Sequence, residues 1–391
     1  MGQTRHEIGL CSQIVYGRGS SALIVVQSGE GLSMTQALGE TKAAETSRPK
    51  PLFSRRKPPC QPPVFLSPRI LAVPPSTASL QAAFDALKGH PSGDLDDWRA
   101  RYAPFFGEVV VRATRPHARV SVVVVAHQHS SAHEACMRRI RENTGLAPGD
   151  IELIVVDNSA LPKGLPIGQW ADVHLKLAFN TQCTTGRNIG AIWASAPLLC
   201  FLDDDGLIAY DYFERALDYF DQDPKLAALR TRILPRSHPY FTAMAGHYDR
   251  GPEVIEECLS TEGSSVIRRA LYVEVGGFPD ATVGHEGIDL TYCIKRHDPT
   301  LRVIYAPDIV MHHDYMDSWD KFVRKSLAYA NIDAPQTARE PELQRFMDDY
   351  FARRFSTSQR PLDVRVVARA LNLSRKALKL AATLRTKRSS R

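Results

Sequence analysis

The chain has 391 residues, 43% hydrophobic and 24% charged, with a formal net charge of +6. That is ordinary globular composition, long enough for two domains or for one large domain with tails. The positive excess is modest and sits at the two ends, which excludes the clustered basic face of a nucleic-acid binder. Seven cysteines (Cys11, Cys60, Cys136, Cys183, Cys200, Cys258 and Cys293) form no CxxC pair, a pattern of reduced thiols in a cytosol rather than a disulfide scaffold. No apolar segment approaches the ~20 residues of a membrane-spanning helix, and the short apolar patch Ala22–Val26 lacks a signal-peptide layout.

Residues 1–79 read as a leader, crowded with proline and arginine between Pro49 and Pro75 and expected to stay extended or disordered. Residues 80–117 form a helical lead-in, carried by LQAAFDALKGH and DLDDWRARYAPFF. From Arg119 the pattern changes. VSVVVVAH is a β-branched run, a helix over HEACMRRIRENTG follows and stops at Gly145, and IELIVVDNS repeats a strand that ends in an acid. VHLKLAF is a third strand, and TTGRNIGAIWASA starts a helix at Thr184 or Thr185. A fourth strand runs into Asp203-Asp204-Asp205-Gly206, and AYDYFERALDYFDQD is the next helix, closed by Pro224. Strands alternating with helices of this length indicate βαβ units, so the fold class is α/β, a Rossmann-like domain with a mostly parallel sheet flanked by helices. After Pro235 the alternation loosens into a strand-like piece, a helix and a Gly-Gly turn (SSVIRRALYVEVGGFPD). A helix with acids in its first turn (GHEGIDLTYCIKRHD) and an alternating strand leading to His312 and His313 follow. Residues 319–391 read as a helical extension that ends in a basic amphipathic helix.

The organising stretch is the apolar run Leu199–Leu202 ending in three carboxylates and a glycine. Ligands in α/β sheets collect at the carboxyl ends of strands. Adjacent acids repel one another unless something positive stands among them, and hard oxygen ligands suit Mg²⁺ or Mn²⁺ bound to a phosphate. A solvated acidic turn is the plain alternative.

The order of IVVDNS, GRNIGA, FLDDD, RRALYVEVGGFPD, GHEGIDLTYCI and Pro307-x5-His313 resembles family 2 glycosyltransferases of the GT-A fold over residues 118–318. The resemblance implies one nucleotide-sugar-binding domain, a divalent metal (Mn²⁺ or Mg²⁺) and transfer of a sugar with inversion from a nucleotide-diphosphate donor. It places Asp157 against the nucleobase, although turn chemistry also favours Asp-Asn-Ser. Arg187 and Asn188 stand where a helix start favours an anion or its ribose. Asp203 and Asp205 form the D-x-D pair: Asp205 ligates metal and Asp203 contacts the ribose or a metal-bound water. Asp204 is the weakest cofactor-side candidate of the three, since strand alternation more readily turns it away. His313 occupies the metal-coordinating histidine position.

One landmark departs from the family pattern. Where relatives carry Glu-Asp before x-Asp-Leu, with that Asp as catalytic base, this chain has Glu286-Gly287 before Ile288-Asp289-Leu290. Glu286 or Asp289 is then the base, Glu286 preferred for its reach, while Asp289 is equally suited to capping the helix. The departure keeps open a non-catalytic sugar-nucleotide-binding protein. A third reading, a haloacid-dehalogenase-like phosphatase, draws only on FLDDDG and lacks the usual Thr after the glycine. The acceptor is a hydroxyl on a glycan, a lipid-linked molecule or a small molecule, and no nucleic acid is involved. The terminal helix (Val364, Val367, Ala368, Leu371, Leu378, Ala381) either packs on the domain or lies on an anionic membrane, so the expected location is cytoplasmic, peripheral on the inner face in the second case.

Overall fold

β-Branched residues build the centre of the molecule, because their stiff side chains pack well on both faces of a pleated sheet. The computed structural model describes residues 14–15, 76–282, 284–332 and 340–352, with scattered residues between 362 and 381. The proline-rich stretch from Pro49 to Pro75 lies outside them.

The strands are β1 (Ile14–Val15), β2 (Phe106–Val111), β3 (Val120–Ala126), β4 (Ile151–Asp157), β5 (Val173–Leu177), β6 (Leu198–Asp203), β7 (Leu207–Ile208), β8 (Leu226–Leu234), β9 (Ile255–Glu256), β10 (Ser264–Arg268) and β11 (Arg302–His312). They form one open sheet in the order β1-β2-β5-β4-β3-β6-β10-β8-β11-β7, with β9 paired to β11. The βαβ strands read from the sequence pair in parallel as β5-β4-β3-β6. Beyond them the sheet is mixed: β10 is antiparallel to both β6 and β8, and β2 is antiparallel to β5. Strand β11 runs parallel to β8 with a register shift between Ala306 and Val310, which absorbs Pro307.

Helices cover both faces: α1 (Thr77–Asp85), α2 (Leu95–Tyr102), α3 (His133–Arg141), α4 (Gln182–Trp193), α5 (Tyr212–Gln222), α6 (Pro239–Thr242), α7 (Arg269–Glu274), α8 (Glu286–His297), α9 (Trp319–Ile332) and α10 (Pro341–Ala352). Alternate residues of one strand enter different cores. Val122 and Val124 pack with Met137 of α3 and Phe213 of α5, whereas Val123 packs with Ile189 of α4 and with Trp98 and Tyr102 of α2. The lead-in helices are well specified locally. Asp94 caps α2 by accepting from Asp96 N and Asp97 N, while Asp97 accepts from Asp94 N, a reciprocal capping box. Trp98 and Tyr102 are then fully buried, so this segment closes the core on that face.

Helix α4 lies unusually close to the sheet. A Cβ on Gly190 would stand 2.3 Å from Val123 Cγ1 and 3.1 Å from Val156 Cγ2. Gly190→Val is therefore expected to overpack this seam and to lower the unfolding free energy by about 3 kcal/mol, the upper end of the usual overpacking range. Urea unfolding measures this, and an unchanged midpoint would show that α4 can lift without cost.

Candidate functional site

The chain runs β3, β4, β5 outward on one side and then returns to place β6 on the other side of β3, which puts a topological switch point between β3 and β6. A cleft of about 1380 Å³ opens there. Ser130 and Ser131 line it after β3, Asp203 and Asp205 at the end of β6, and Arg187, Glu262, Glu286 and His313 around the rest of its wall.

The structure resolves the repulsion within the acidic triplet by giving each carboxylate its own partner from a different element. Asp203 Oδ1 accepts from Arg187 Nη2 of α4 at 3.1 Å. Asp204 turns the other way, to His133 Nε2 at the start of α3, 2.8 Å off. Asp205 Oδ1 meets His313 Nε2, just after β11, at 3.1 Å. Burial pushes the Asp205 carboxyl up, but His313, with the Arg236 charge, outweighs this and holds it below the ordinary range. For Asp204 burial wins and its affinity for a proton rises despite His133.

Asp205 and His313 suit a divalent ion. Tyr248 Oη stands 3.4 Å from His313 Nδ1, which leaves Nε2 facing the Asp205 carboxylate. Asp203 lies on the same lip. Its backbone N–H donates to Gly263 O at 2.9 Å, and a Cβ on Gly263 would fall 1.9 Å from its Oδ1, so only glycine lets the loop pass over this carboxylate.

The other wall is acidic too. Glu286 opens α8, is 8% exposed, and has Oε1 3.8 Å from Arg187 Nη1. The sequence reading missed Glu262, which lines the same wall and accepts from Gly287 N at 2.8 Å. An acid before Gly263 and a strand is all the sequence offered. Burial raises both carboxyls, and Arg187 works against that rise at each. Both helices that frame this wall start from non-glycine residues with positive φ, Gln182 at 60° in α4 and His285 at 67° before α8, a strained geometry that concentrates at functional sites.

Besides Asp204, three residues expected in the site do not line the cleft. Asp157 is 1% exposed, and its oxygens accept from Ser159 N and Oγ (3.1 and 2.6 Å) and from Leu165 N (2.5 Å), with His174 Nε2 3.4 Å away. These contacts hold it ionised, against the burial that favours protonation, and make it the clamp of its own turn. Asn188 points into the core. Its Nδ2 donates to Phe278 O (2.8 Å) and Asp280 Oδ1 (3.1 Å), and its Oδ1 accepts from Tyr272 Oη (2.5 Å) and Phe278 N (3.1 Å). The helix starts at Gln182, earlier than Thr184 or Thr185, so Arg187 and Asn188 stand in its second turn rather than at its start. Asp289 turns to His90, with Oδ1 3.0 Å from Nε2, and contributes nothing to the cleft wall.

The glycine that departs from the family pattern has a steric cause. A Cβ on Gly287 would lie 1.7 Å from the Leu259 carbonyl oxygen and 2.7 Å from Glu262 Oε1. Gly287→Asp, which restores the residue usual in relatives, should therefore not raise activity. It should lower stability by about 1–3 kcal/mol through overpacking, read as a drop in Tm. A stable and more active variant would contradict this packing.

Residues 121–278 match the family model described as Glycosyl transferase family 2. Among curated proteins, a glucosyl-dolichyl phosphate glucuronosyltransferase of Haloferax volcanii is 26% identical over 167 residues, covering 38% of this chain and 53% of that protein. The chain thus spans about half the length of this relative. Among solved structures, the mannosyltransferase PcManGT of Pyrobaculum calidifontis with GDP-Man and Mn²⁺ aligns at a TM-score of 0.43 and 17% identity, over 71% of this chain and 82% of that one. S. aureus TarS 1-349 with UDP-GlcNAc aligns at 0.42 and 14% identity, over 65% and 79%. The family match includes the acidic triplet and its flanking βα units, which leaves the phosphatase reading without support. The likeness to family 2 glycosyltransferases thus runs over residues 121–278, from β3 to just beyond α7.

Proposed function

We propose that the protein is a metal-dependent, inverting glycosyltransferase that moves a sugar from a nucleotide-diphosphate donor to a hydroxyl acceptor. One observation carries this reading: Asp205 and His313 converge to 3.1 Å in a cleft that Glu286 also lines. A divalent ion, Mn²⁺ or Mg²⁺, held by Asp205 and His313 with Asp203 alongside, would neutralise charge on the departing diphosphate. The chain's own residues do the rest. Arg187 ties Asp203 in place and stands beside Glu286. Glu286 takes the proton from the acceptor hydroxyl as it attacks the anomeric carbon from the face opposite the diphosphate. The sugar passes through an oxocarbenium-like state, and a single displacement inverts the centre. Domain 118–318 is the catalytic unit in this reading, and 319–391 serves the acceptor side.

The acceptor reading adds a surface. Leu362, Val366, Leu373 and Leu380 are all exposed, at helical spacing, on the C-terminal segment. Val367 packs against the Met244–Met316–Phe322 cluster, whereas Val364, Ala368, Leu371 and Leu378 lie outside the described residues. No helix among the described residues is long and apolar enough to cross a membrane. We place the enzyme in the cytoplasm, with this stripe and its arginines against an anionic inner membrane face, acting on a lipid-linked hydroxyl. The Haloferax volcanii relative, whose name carries a dolichyl phosphate, agrees with that choice.

Thermal unfolding with nucleoside diphosphates and nucleotide sugars tests the donor. A metal-dependent rise in Tm is expected for one nucleotide, lost in Asp205→Asn and His313→Ala. Glu286→Gln should keep that rise and lower kcat by about 10²–10⁴-fold. Because burial, in spite of Arg187, raises the Glu286 carboxyl, the wild-type rate should climb with pH through a value above the ordinary ~4.3 of glutamate. The Gln variant should lack that step. Donor binding with no transfer to any acceptor would favour the non-catalytic binding protein. For the membrane surface, Leu373→Asp with Leu380→Asp should abolish co-sedimentation with anionic liposomes. Equal sedimentation would remove the membrane contact.

A further inference from the structure

Away from the cleft, the connector between α1 and α2 is docked onto the Gly276-Gly277-Phe278 turn and onto α8. Gly89 O accepts from Asp280 N at 2.8 Å, and a Cβ on Gly276, whose φ is +89°, would stand 2.7 Å from Pro91 O. This docking aims the His90 ring at α8. Its Nδ1–H donates to Gly277 O at 2.8 Å, which leaves Nε2 3.0 Å from Asp289 Oδ1 and 3.5 Å from Cys293 Sγ. Asp289 and Cys293 are four apart on α8 and so project from one side of it. The imidazole, carboxylate and thiol donor atoms all lie within 4.8 Å of one another.

With the His90 Nδ1–H given to a carbonyl, Nε2 is left to a carboxylate and a thiol, a place that a proton or a metal cation can fill. Burial alone would lower its proton affinity, but the Asp289 and Cys293 contacts outweigh this and raise it to about 10. A ring whose Nδ1–H is held by a backbone carbonyl, with Nε2 turned to a carboxylate and a thiol, is also the second-shell arrangement of a histidine that ligates metal. Around a tetrahedral Zn²⁺, neighbouring N, O and S ligands lie roughly 3.3–3.6 Å apart. The observed 3.0 and 3.5 Å are within a few tenths of an ångström of that.

We propose that His90, Asp289 and Cys293 form a second metal site, separate from the Asp205–His313 lip, that takes Zn²⁺ with a water in the fourth position. The donor set decides the metal: a thiolate with an imidazole selects Zn²⁺ over the Mg²⁺ or Mn²⁺ suited to oxygen-rich sites. The ring and the thiol are both partly exposed, which gives an entry path from solvent. The site joins residues 199 positions apart and fixes α8, whose first residue is Glu286, against the lead-in helices. The proposal stands whether or not the glycosyl-transfer reading holds.

The test is Co²⁺ and Zn²⁺ titration of the full chain purified in chelator. Wild type should bind one equivalent of Co²⁺ with a thiolate-to-metal charge-transfer band in the near ultraviolet, and Zn²⁺ should displace it. The band should persist in Asp205→Asn/His313→Ala and in Cys183→Ser, and be absent from Cys293→Ser and His90→Gln. Zn²⁺ should raise the Tm of wild type but not of His90→Gln, which serves as the readout if Cys293→Ser folds poorly. No band in wild type, or a band that survives Cys293→Ser, overturns the site and leaves a His90–Asp289 ion pair alone.

Discussion

Three consecutive carboxylates at a strand end are a problem in Coulomb repulsion, and the rest of this site follows from how the fold solves it. Each acid is handed to a different element: Asp203 to Arg187 on α4, Asp204 to His133 on α3, Asp205 to His313 after β11. The arrangement draws helices from both faces of the sheet and its far strand to one point. Arg187 is the member with least freedom. It is almost completely buried, and its two close acids, Asp203 and Glu286, come from different elements and both line the cleft. A buried guanidinium is tolerated only when paired, and removing a partner from such a group typically costs about 3–5 kcal/mol. Burial works against its charge, but the surrounding acids more than compensate and hold it firmly protonated.

The sheet was legible because its signal is local. The β-branched runs and the acids at strand ends specify β3, β4 and β6 without reference to anything distant, whereas the helix between the first two ends at Arg141, short of the expected stop at Gly145. Strand alternation likewise separated Asp204 from its neighbours, and the structure turns that side chain to His133. What the sequence could not show is which side chains are spent on the fold itself. Asp157 and Asn188 sit within motifs that point to a ligand, yet both are taken up by the fold: Asp157 by Ser159 and Leu165 N of its own turn, Asn188 by the distant Tyr272 and Phe278. A motif records the residue type, not how many of its hydrogen-bonding sites remain open. Glu262 is the converse case, an acid in an unremarked loop that only the tertiary path past Gly263 and Gly287 brings to the wall.

The Gly287 departure makes sense in the same terms. In this chain the first turn of α8 abuts the Leu259 carbonyl, so no side chain fits at the second residue of the helix. The neighbouring loop supplies a carboxylate instead, and the Gly287 N–H, one of the donors a helix start leaves unpaired, is satisfied by it. A position that loses its acid thus gains one from elsewhere, and the wall keeps two carboxyl groups facing one arginine. Two such groups in a buried setting cannot both ionise cheaply, which is why burial lifts both and why Arg187 between them matters.

Helix α8 is where these constraints meet. It begins after His285 in the left-handed region, a conformation that a histidine adopts only when its surroundings impose it. On one side, Glu286 and Gly287 are held by Arg187 and Glu262; on the other, Asp289 and Cys293 are held by His90. The strain at residue 285 persists because both ends of the same turn are anchored to segments far away in sequence. A helix start anchored on both sides keeps Glu286 at the cleft wall without help from a ligand, and such preorganisation is what the general-base role proposed for it requires.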